Sequence, residues 1–252
     1  MADLDAVRAR SFGAVAASYD AYRPRYPDRL VDDVVALLPG RRVLEVGAGT
    51  GIATAAFAAR GVDLTCVEPD PEMAAVLTAK VGAADVHVTT FEQWSASGFD
   101  GLISAQAWHW TDPETRWANA AAAVRTGGVL ALFWNDDRYV DQRIRAAFTA
   151  AYDRHGIEVR TVEEQPDDGD LPEEWRAGLD RHFADLRTHR YHWSHRMPVA
   201  DFVARVNTSS AHLILPPEVR ADLTREVTAT LTGYGDDVEL AMVTDLVTAV
   251  RR

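Results

Sequence analysis

The sequence predicts an α/β chain wound around a mostly parallel sheet, and three observations predict it. Short apolar, β-branched runs alternate with helical stretches of about 10 to 15 residues from near residue 28 to residue 134, the rhythm of right-handed βαβ crossovers. A glycine-rich turn follows the first of those runs, where an open sheet of this kind holds its ligands. The 252 residues are 47% hydrophobic and 25% charged, a composition that supplies an ample core and excludes wholesale disorder.

The elements follow in order. In YPDRLVDDVVALLPG, Asp28 caps a predicted helix whose apolar residues Leu30, Val31, Val34, Val35, Leu37 and Leu38 fall on one broad face, and Pro39 and Gly40 stop it. RVLEV is a buried strand, GAGTG a turn, and IATAAFAAR a helix ended by Gly61. VDLTCV is a second strand, and PEMAAVLTAK a helix opened by Pro71 in its first turn. DVHVTT and FDGLISA are the third and fourth strands, PETRWANAAAAVR is a helix from Pro113, and GGVLALFW is the fifth strand.

After Trp134 the rhythm changes. Residues 140–156 and stretches near 199–212 and 217–232 have helical character, and 158–174 is an acidic loop. Residues 185–197 alternate weakly as a strand does, while 238–250 fit strand or helix, Thr and Val favouring strand. No internal repeat or low-complexity linker separates two domains, so one sheet-centred domain with an inserted helical segment is expected.

Charge and cysteine content narrow the function classes. The formal net charge is −12, which disfavours sequence-independent nucleic-acid binding and docking on anionic membranes. The charge is uneven: residues 158–174 hold eight acids against one arginine, whereas 175–198 hold five arginines against two acids. The single Cys66 excludes an intrachain disulfide framework and a Cys-rich metal site. The start, MADLDAVRARSFG, has no apolar signal segment, and no apolar run is long enough to span a bilayer. A cytoplasmic protein is expected.

The chemistry concentrates in Val43-Leu44-Glu45-Val46-Gly47-Ala48-Gly49-Thr50-Gly51. Gly47 permits a sharp turn, Gly49 a close ligand approach, and Gly51 close packing where the helix begins, with free amides of that helix N-terminus facing the ligand. A dinucleotide fingerprint requires a third glycine where Ile52 stands, and a phosphate loop requires a lysine that is missing. Glu45 precedes the turn; a carboxylate there repels a pyrophosphate and suits a cation. Glu68, at the end of the second strand, can accept bonds from two ribose hydroxyls. The pattern predicts a nucleoside ligand with a positive end and no phosphates.

In their order, VLEVGAGTG, VEPDPEM, FDGLISAQAWHW and RTGGVLALFW resemble the class I S-adenosylmethionine-dependent methyltransferases, and more narrowly the small-molecule group that includes trans-aconitate and quinone-biosynthesis methyltransferases. The likeness covers roughly residues 10–135. It implies a doubly wound, Rossmann-like, seven-stranded mostly parallel sheet ending in an antiparallel pair, for which the stretches near 185 and 238 are the candidates. It also implies one methyltransferase domain over 1–252: an arm over 1–27 covering the cofactor, a cofactor-binding core over 28–135, and a lid and substrate segment with the terminal strands over 136–252. By position, Glu45, Gly47, Ala48, Gly49 and Gly51 form the loop that holds the methionine portion, and Glu68 with Pro69 the ribose loop. Met73 packs on adenine, Thr90 and Phe91 read its edge, and Ala105 and Gln106 lie beside the methyl donor. Many relatives have Asp where this chain has Thr90.

Three stretches are candidates for the acceptor side. In FGAVAASYDAYRPRYP, Tyr19 offers an aromatic face to a sulfonium and Arg23 a guanidinium to the methionine carboxylate; the other reading is an aromatic cluster that pins the arm. Trp108, His109 and Trp110 follow the fourth strand. There His109 can take a hydroxyl proton, merely orient a carboxylate, or pack between the two indoles. Trp134, at the end of the fifth strand, lines a pocket or fills the core. His182, His189, His192 and His195 suggest a metal, but on a strand His189 and His195 share one face while His192 points to the other, so no metal is expected. The predicted activity is in-line methyl transfer from S-adenosylmethionine to a small molecule, with S-adenosylhomocysteine as product. The alternatives are a nicotinamide-dependent oxidoreductase and a non-catalytic S-adenosylmethionine-binding protein. The oligomeric state has no sequence signature.

Overall fold

The computed structural model describes residues 12–157 and 171–252. The predicted loop therefore lies outside the described residues over 158–170, and its last two residues, Glu173 and Glu174, open a helix. The described chain forms two compact units, one drawn from residues 25–135, 171–191 and 244–252, the other from 12–24, 136–157 and 192–243.

The larger unit is the predicted α/β alternation. Helix α2 (Asp28–Leu37) buries Leu30, Val31 and Val34 and leads into β1 (Arg42–Val46); α1 (Ala16–Tyr22) precedes it in the other unit. Helix α3 (Ile52–Ala58), β2 (Asp63–Val67) and α4 (Pro71–Lys80) come next. Helix α4 starts where it does because Asp70 accepts from the backbone N–H of Glu72 and of Met73, and Pro71 needs no donor partner in the first turn. Strand β3 (Asp85–His87) is shorter than predicted, since Thr89 and Thr90 turn away, whereas β4 (Phe99–Ala105) has the predicted bounds.

Helix α5 (Arg116–Ala123) begins three residues after Pro113, because Asp112 accepts from the N–H of Glu114 and the hydroxyl of Thr115 and holds a turn ahead of it. Strand β5 (Val124–Tyr139) outruns the apolar stretch GGVLALFW at both ends. Helix α6 (Gln142–Arg154) and helix α7 (Glu173–Asp180) precede β6 (Phe183–Pro198). Helices α8 (Val199–Val206), α9 (Ser210–Leu213) and α10 (Pro217–Thr232) lead to β7 (Asp237–Arg251). Both ambiguous stretches are thus strands.

The sheet has seven strands in the order β3-β2-β1-β4-β5-β7-β6. The pairs β3–β2, β2–β1, β1–β4 and β4–β5 are parallel. Thr126 bonds Arg252 while Asn135 bonds Thr244, so β7 runs against β5. His182 bonds Arg252 while Arg190 bonds Asp245, so β6 runs against β7. The chain moves outward from β1 to β3 and then returns to place β4 on the other side of β1. That reversal opens the crevice at the carboxyl ends of β1 and β4 where ligands of open sheets bind.

Alternate residues of the central strands face opposite layers. Val43, Ile103 and Phe133 pack with Leu30, Phe57 and Leu77 of helices α2, α3 and α4. Leu44, Leu102 and Leu132 pack with Trp117 and Leu179 of helices α5 and α7. The smaller unit has its own core of Ile144, Phe148, Phe202, Leu223, Val227 and Leu240, among others.

Candidate active site

Strand β1 ends at Val46, and the chain then bends through Gly47 at φ 68°. A Cβ on Gly47 would lie 2.3 Å from the Cβ of Ala107, which follows β4, so only glycine lets the two strand exits come this close. Gly49 also has a left-handed backbone, with φ 56°. Its N–H donates to Glu68 Oε2 at 2.7 Å, and Gly51 stands at the entry to α3.

Three more amides of the turn are engaged as well. The N–H groups of Gly47 and Ala48 both donate to the Val67 carbonyl, at 2.9 and 3.3 Å, and that of Gly51 donates to the Ala48 carbonyl at 3.0 Å. With four N–H groups already bonded, the turn offers few donors to a pyrophosphate, which needs them.

Two buried carboxylates flank the turn. Glu68 is held at both oxygens, Oε2 by Gly49 and Oε1 by the N–H of Asp70 at 2.9 Å. Burial pushes its carboxyl above the usual range, and the two backbone donors oppose that shift. Each oxygen keeps a second lone pair for a ligand hydroxyl. Glu45 is 1% exposed. Its Oε2 accepts from the Thr54 hydroxyl at 2.7 Å, the Cys66 thiol lies 3.9 Å away, and Oε1 is sealed from solvent with no hydrogen-bond partner. Burial pushes the Glu45 carboxyl up to about 7. A sealed, half-satisfied carboxylate fits a cationic group and does not fit a phosphate.

The expected adenine side is assembled from β2, α4 and the turn after β3. Met73 is buried at the start of α4, its methyl 3.6 Å from where a Cβ on Gly49 would stand. Pro69 is exposed beside Glu68. Thr90 is half-buried and accepts at its carbonyl from Gln93, while Phe91 turns its ring into the core, 6.0 Å from Trp108.

Ala105 and Gln106 close the other side. Gln106 has a φ of 59°, one of two left-handed non-glycine residues among those described. It is held there by its N–H on the Phe133 carbonyl at 3.0 Å and by its Nε2 on the Asn135 carbonyl at 2.8 Å. Strain of this kind persists only where the surroundings over-determine it. Asn135, which the sequence reading passed over, also donates to the Arg25 carbonyl and accepts from Thr244. A polar residue ending the apolar run VLALFW was its one signal.

The 108–110 segment is a single 3₁₀ turn. Trp108 is fully buried, its ring 5.1 Å from Trp117, so it packs beneath the turn rather than at a surface. His109 is exposed and its ring lies 4.7 Å from that of Trp110. Trp134 is half-buried, 5.5 Å from Trp175 of α7. Tyr19 and Arg23 belong to the smaller unit, where Arg23 lies over the Tyr19 ring at 4.8 Å and donates to the Thr208 hydroxyl at 3.0 Å and carbonyl at 3.1 Å. Among the described residues no group of three or more His, Cys, Asp or Glu is arranged to hold a metal, and no helix is long and apolar enough to cross a membrane.

Residues 44–132, which carry this turn and both carboxylates, match a family model described as a methyltransferase domain. An uncharacterized methyltransferase of Mycobacterium bovis is 32% identical over 239 residues, covering 92% of this chain and 91% of that protein. The chain belongs to the class I S-adenosylmethionine-dependent methyltransferases. Solved structures share the methyltransferase fold over nearly the whole chain. A protein of Anaeromyxobacter dehalogenans assigned as a type II methyltransferase is 21% identical with a TM-score of 0.67, covering 92% of this chain and 98% of that one. The phosphoethanolamine N-methyltransferase 2 of Haemonchus contortus, solved with phosphomonomethylethanolamine and S-adenosylhomocysteine, is 13% identical with a TM-score of 0.53, covering 95% of this chain and 57% of that one. This methyltransferase is therefore an enzyme with a seven-stranded mixed sheet.

Proposed function

We propose that this methyltransferase binds S-adenosylmethionine at the Gly47–Gly51 turn and methylates a small-molecule acceptor. One observation carries the donor site: two buried carboxylates flank a turn in which the N–H groups of Gly47, Ala48, Gly49 and Gly51 are already engaged. Such a site attracts a sulfonium and an ammonium and repels the diphosphate of a nicotinamide cofactor.

The donor supplies an electrophilic methyl group on a sulfonium, which departs as the neutral thioether of S-adenosylhomocysteine. The chain's own residues bind, orient and shield. Glu68 accepts from the ribose hydroxyls with its remaining lone pairs, and Glu45, enclosed beneath the turn, acts on the cationic methionine end through its field. Met73 packs on adenine, and the backbone after Thr90 meets its edge. Gln106 fixes the wall beside the reacting methyl. His109 receives the acceptor's proton on an imidazole nitrogen where the acceptor is a hydroxyl. The transfer is intrinsically downhill, so alignment and exclusion of water are the protein's main tasks. The net charge of −12 favours small acceptors over nucleic acid, and the lone, buried Cys66 suits a cytoplasmic setting.

Calorimetry with S-adenosylhomocysteine and NAD tests the donor site. Binding of the former without the latter is expected, and NAD binding alone overturns the reading. Transfer of labelled methyl to any member of a small-metabolite panel is the expected activity, and its absence across a broad panel, with the donor bound, overturns the small-molecule acceptor.

A further inference from the structure

Arg116 is the first residue of α5 and is only 6% exposed. Its guanidinium lies over two indoles, 4.8 Å from the centre of the Trp175 ring and 5.3 Å from that of Trp117. Nε is sealed from solvent without a hydrogen-bond partner. Among the described residues no ion pair or side-chain hydrogen bond reaches this guanidinium. Two acids act on it through space. Asp112 is occupied by its bonds to Glu114 and Thr115, and Glu174 is exposed. The Nη atoms are not sealed in this way, and a guanidinium set this deep among indoles is normally paired. Burial accordingly works against its positive form.

The surroundings suit a ligand. Gly178 lacks the Cβ that would meet the Trp117 ring at 2.3 Å, so α7 comes close against that indole, with Trp175 beside the guanidinium. Trp134 and Trp175, 5.5 Å apart, are only half-buried and continue the aromatic wall. This wall belongs to the donor end of the sheet: Trp117 is 5.1 Å from Trp108, which follows the Ala107 that abuts Gly47. The positive end of α5 adds to the field that an anion would meet there.

We propose that Arg116, with Trp134 and Trp175, forms the subsite that anchors the acceptor, and that the acceptor is a planar or aromatic carboxylate. This rests on the methyltransferase reading of the same end of the sheet. The guanidinium takes the carboxylate through its Nη pair, and the indoles take the flat skeleton to which it is attached. Paired in this way, the carboxylate is the handle, and the methylated atom is another one on the same skeleton.

The probe is benzoate, compared with its neutral isostere benzamide, in titrations of the whole protein read by tryptophan fluorescence and calorimetry. Benzoate is expected to bind at least about tenfold more tightly than benzamide. Arg116→Met should remove that preference, bringing the two probes within about twofold of each other, and Arg116→Lys, which keeps the charge, should retain part of it. Equal affinity for the two probes in the native protein, or an undiminished benzoate preference in either variant, overturns the proposal. S-adenosylhomocysteine is titrated separately. Its failure to bind the native protein sinks the donor reading, whereas the benzoate comparison decides Arg116 alone.

Discussion

Gly49 donates its backbone N–H to Glu68 at 2.7 Å, so the carboxylate assigned to the ribose also fixes the turn assigned to the methionine end. The second oxygen of Glu68 takes the N–H of Asp70, the residue that caps α4. One side chain thus couples the exits of β1 and β2. Removing it unpairs two backbone donors and two ligand contacts together. Glu68→Ala should weaken S-adenosylhomocysteine binding by at least about tenfold and destabilise the unliganded protein by about 1–3 kcal/mol. Calorimetry reads the first and denaturant melts the second; unchanged affinity refutes the ribose assignment.

Glu45 predicts a pH dependence. Its folded carboxyl is pushed up to about 7 from an ordinary value of 4.5, by burial. A carboxyl raised on folding stabilises most below its unfolded value and loses that contribution as pH rises through the folded one. The unliganded protein should therefore lose roughly 3 kcal/mol between about pH 4.5 and 7 from this group. Glu45→Gln should flatten that part of the stability profile. A cationic ligand end beside Glu45 favours its ionised form, so S-adenosylhomocysteine binding near pH 7 should release a proton, visible as a buffer-dependent calorimetric heat. A variant with the native pH slope would dismiss Glu45 as the source.

The contact of Gly47 with Ala107 is testable by a pair of substitutions. Gly47→Ala places a methyl 2.3 Å from the Ala107 Cβ on a backbone at φ 68°. The left-handed backbone costs about 1 kcal/mol and the crowding about 1–3 kcal/mol more. Adding Ala107→Gly should recover the crowding part and leave the backbone part. Equal thermal melts for the single and double variants would show that the two strand exits are not in contact.

Strand existence was legible where burial writes it into composition. RVLEV, DLTCV and FDGLISA are apolar because both faces of their sheet are covered, and they begin and end within a residue of expectation. Strand β5 was underestimated because its ends belong to the sheet while carrying polar side chains, Arg125 and Thr126 at one and Asn135 to Arg138 at the other. Strands β6 and β7 were ambiguous since most of β6 is not buried and both carry charge, as in the Arg190–Asp245 pair. In the site, Gly47, Gly49 and Glu68 were readable because backbone geometry dictates their spacing. The partners of Glu45 were not, because Thr54 and Cys66 reach it only once α3 and β2 have packed. Arg116 was hidden for the same reason: in PETRW it resembles a solvated helix start, and the Trp175 that covers it comes from a helix beyond β5.

His109 separates binding from turnover. It is exposed at the exit of β4, its ring 4.7 Å from that of Trp110 and tilted against it. His109→Ala should therefore leave S-adenosylhomocysteine affinity within about twofold of native, a difference of under 1 kcal/mol. With a hydroxyl acceptor, loss of a general base lowers kcat by about 10²–10⁴-fold, and the acidic limb of the native pH–rate profile disappears with it. His109→Gln keeps a hydrogen-bonding side chain but no titratable one, so it should bind acceptor with a near-native KM and still lack the limb. That split between KM and kcat is what a merely packed imidazole would not produce, because loss of packing would disturb acceptor binding and leave the pH profile intact. Native turnover in both variants would make the ring structural and move the base to another group at the carboxyl end of β4.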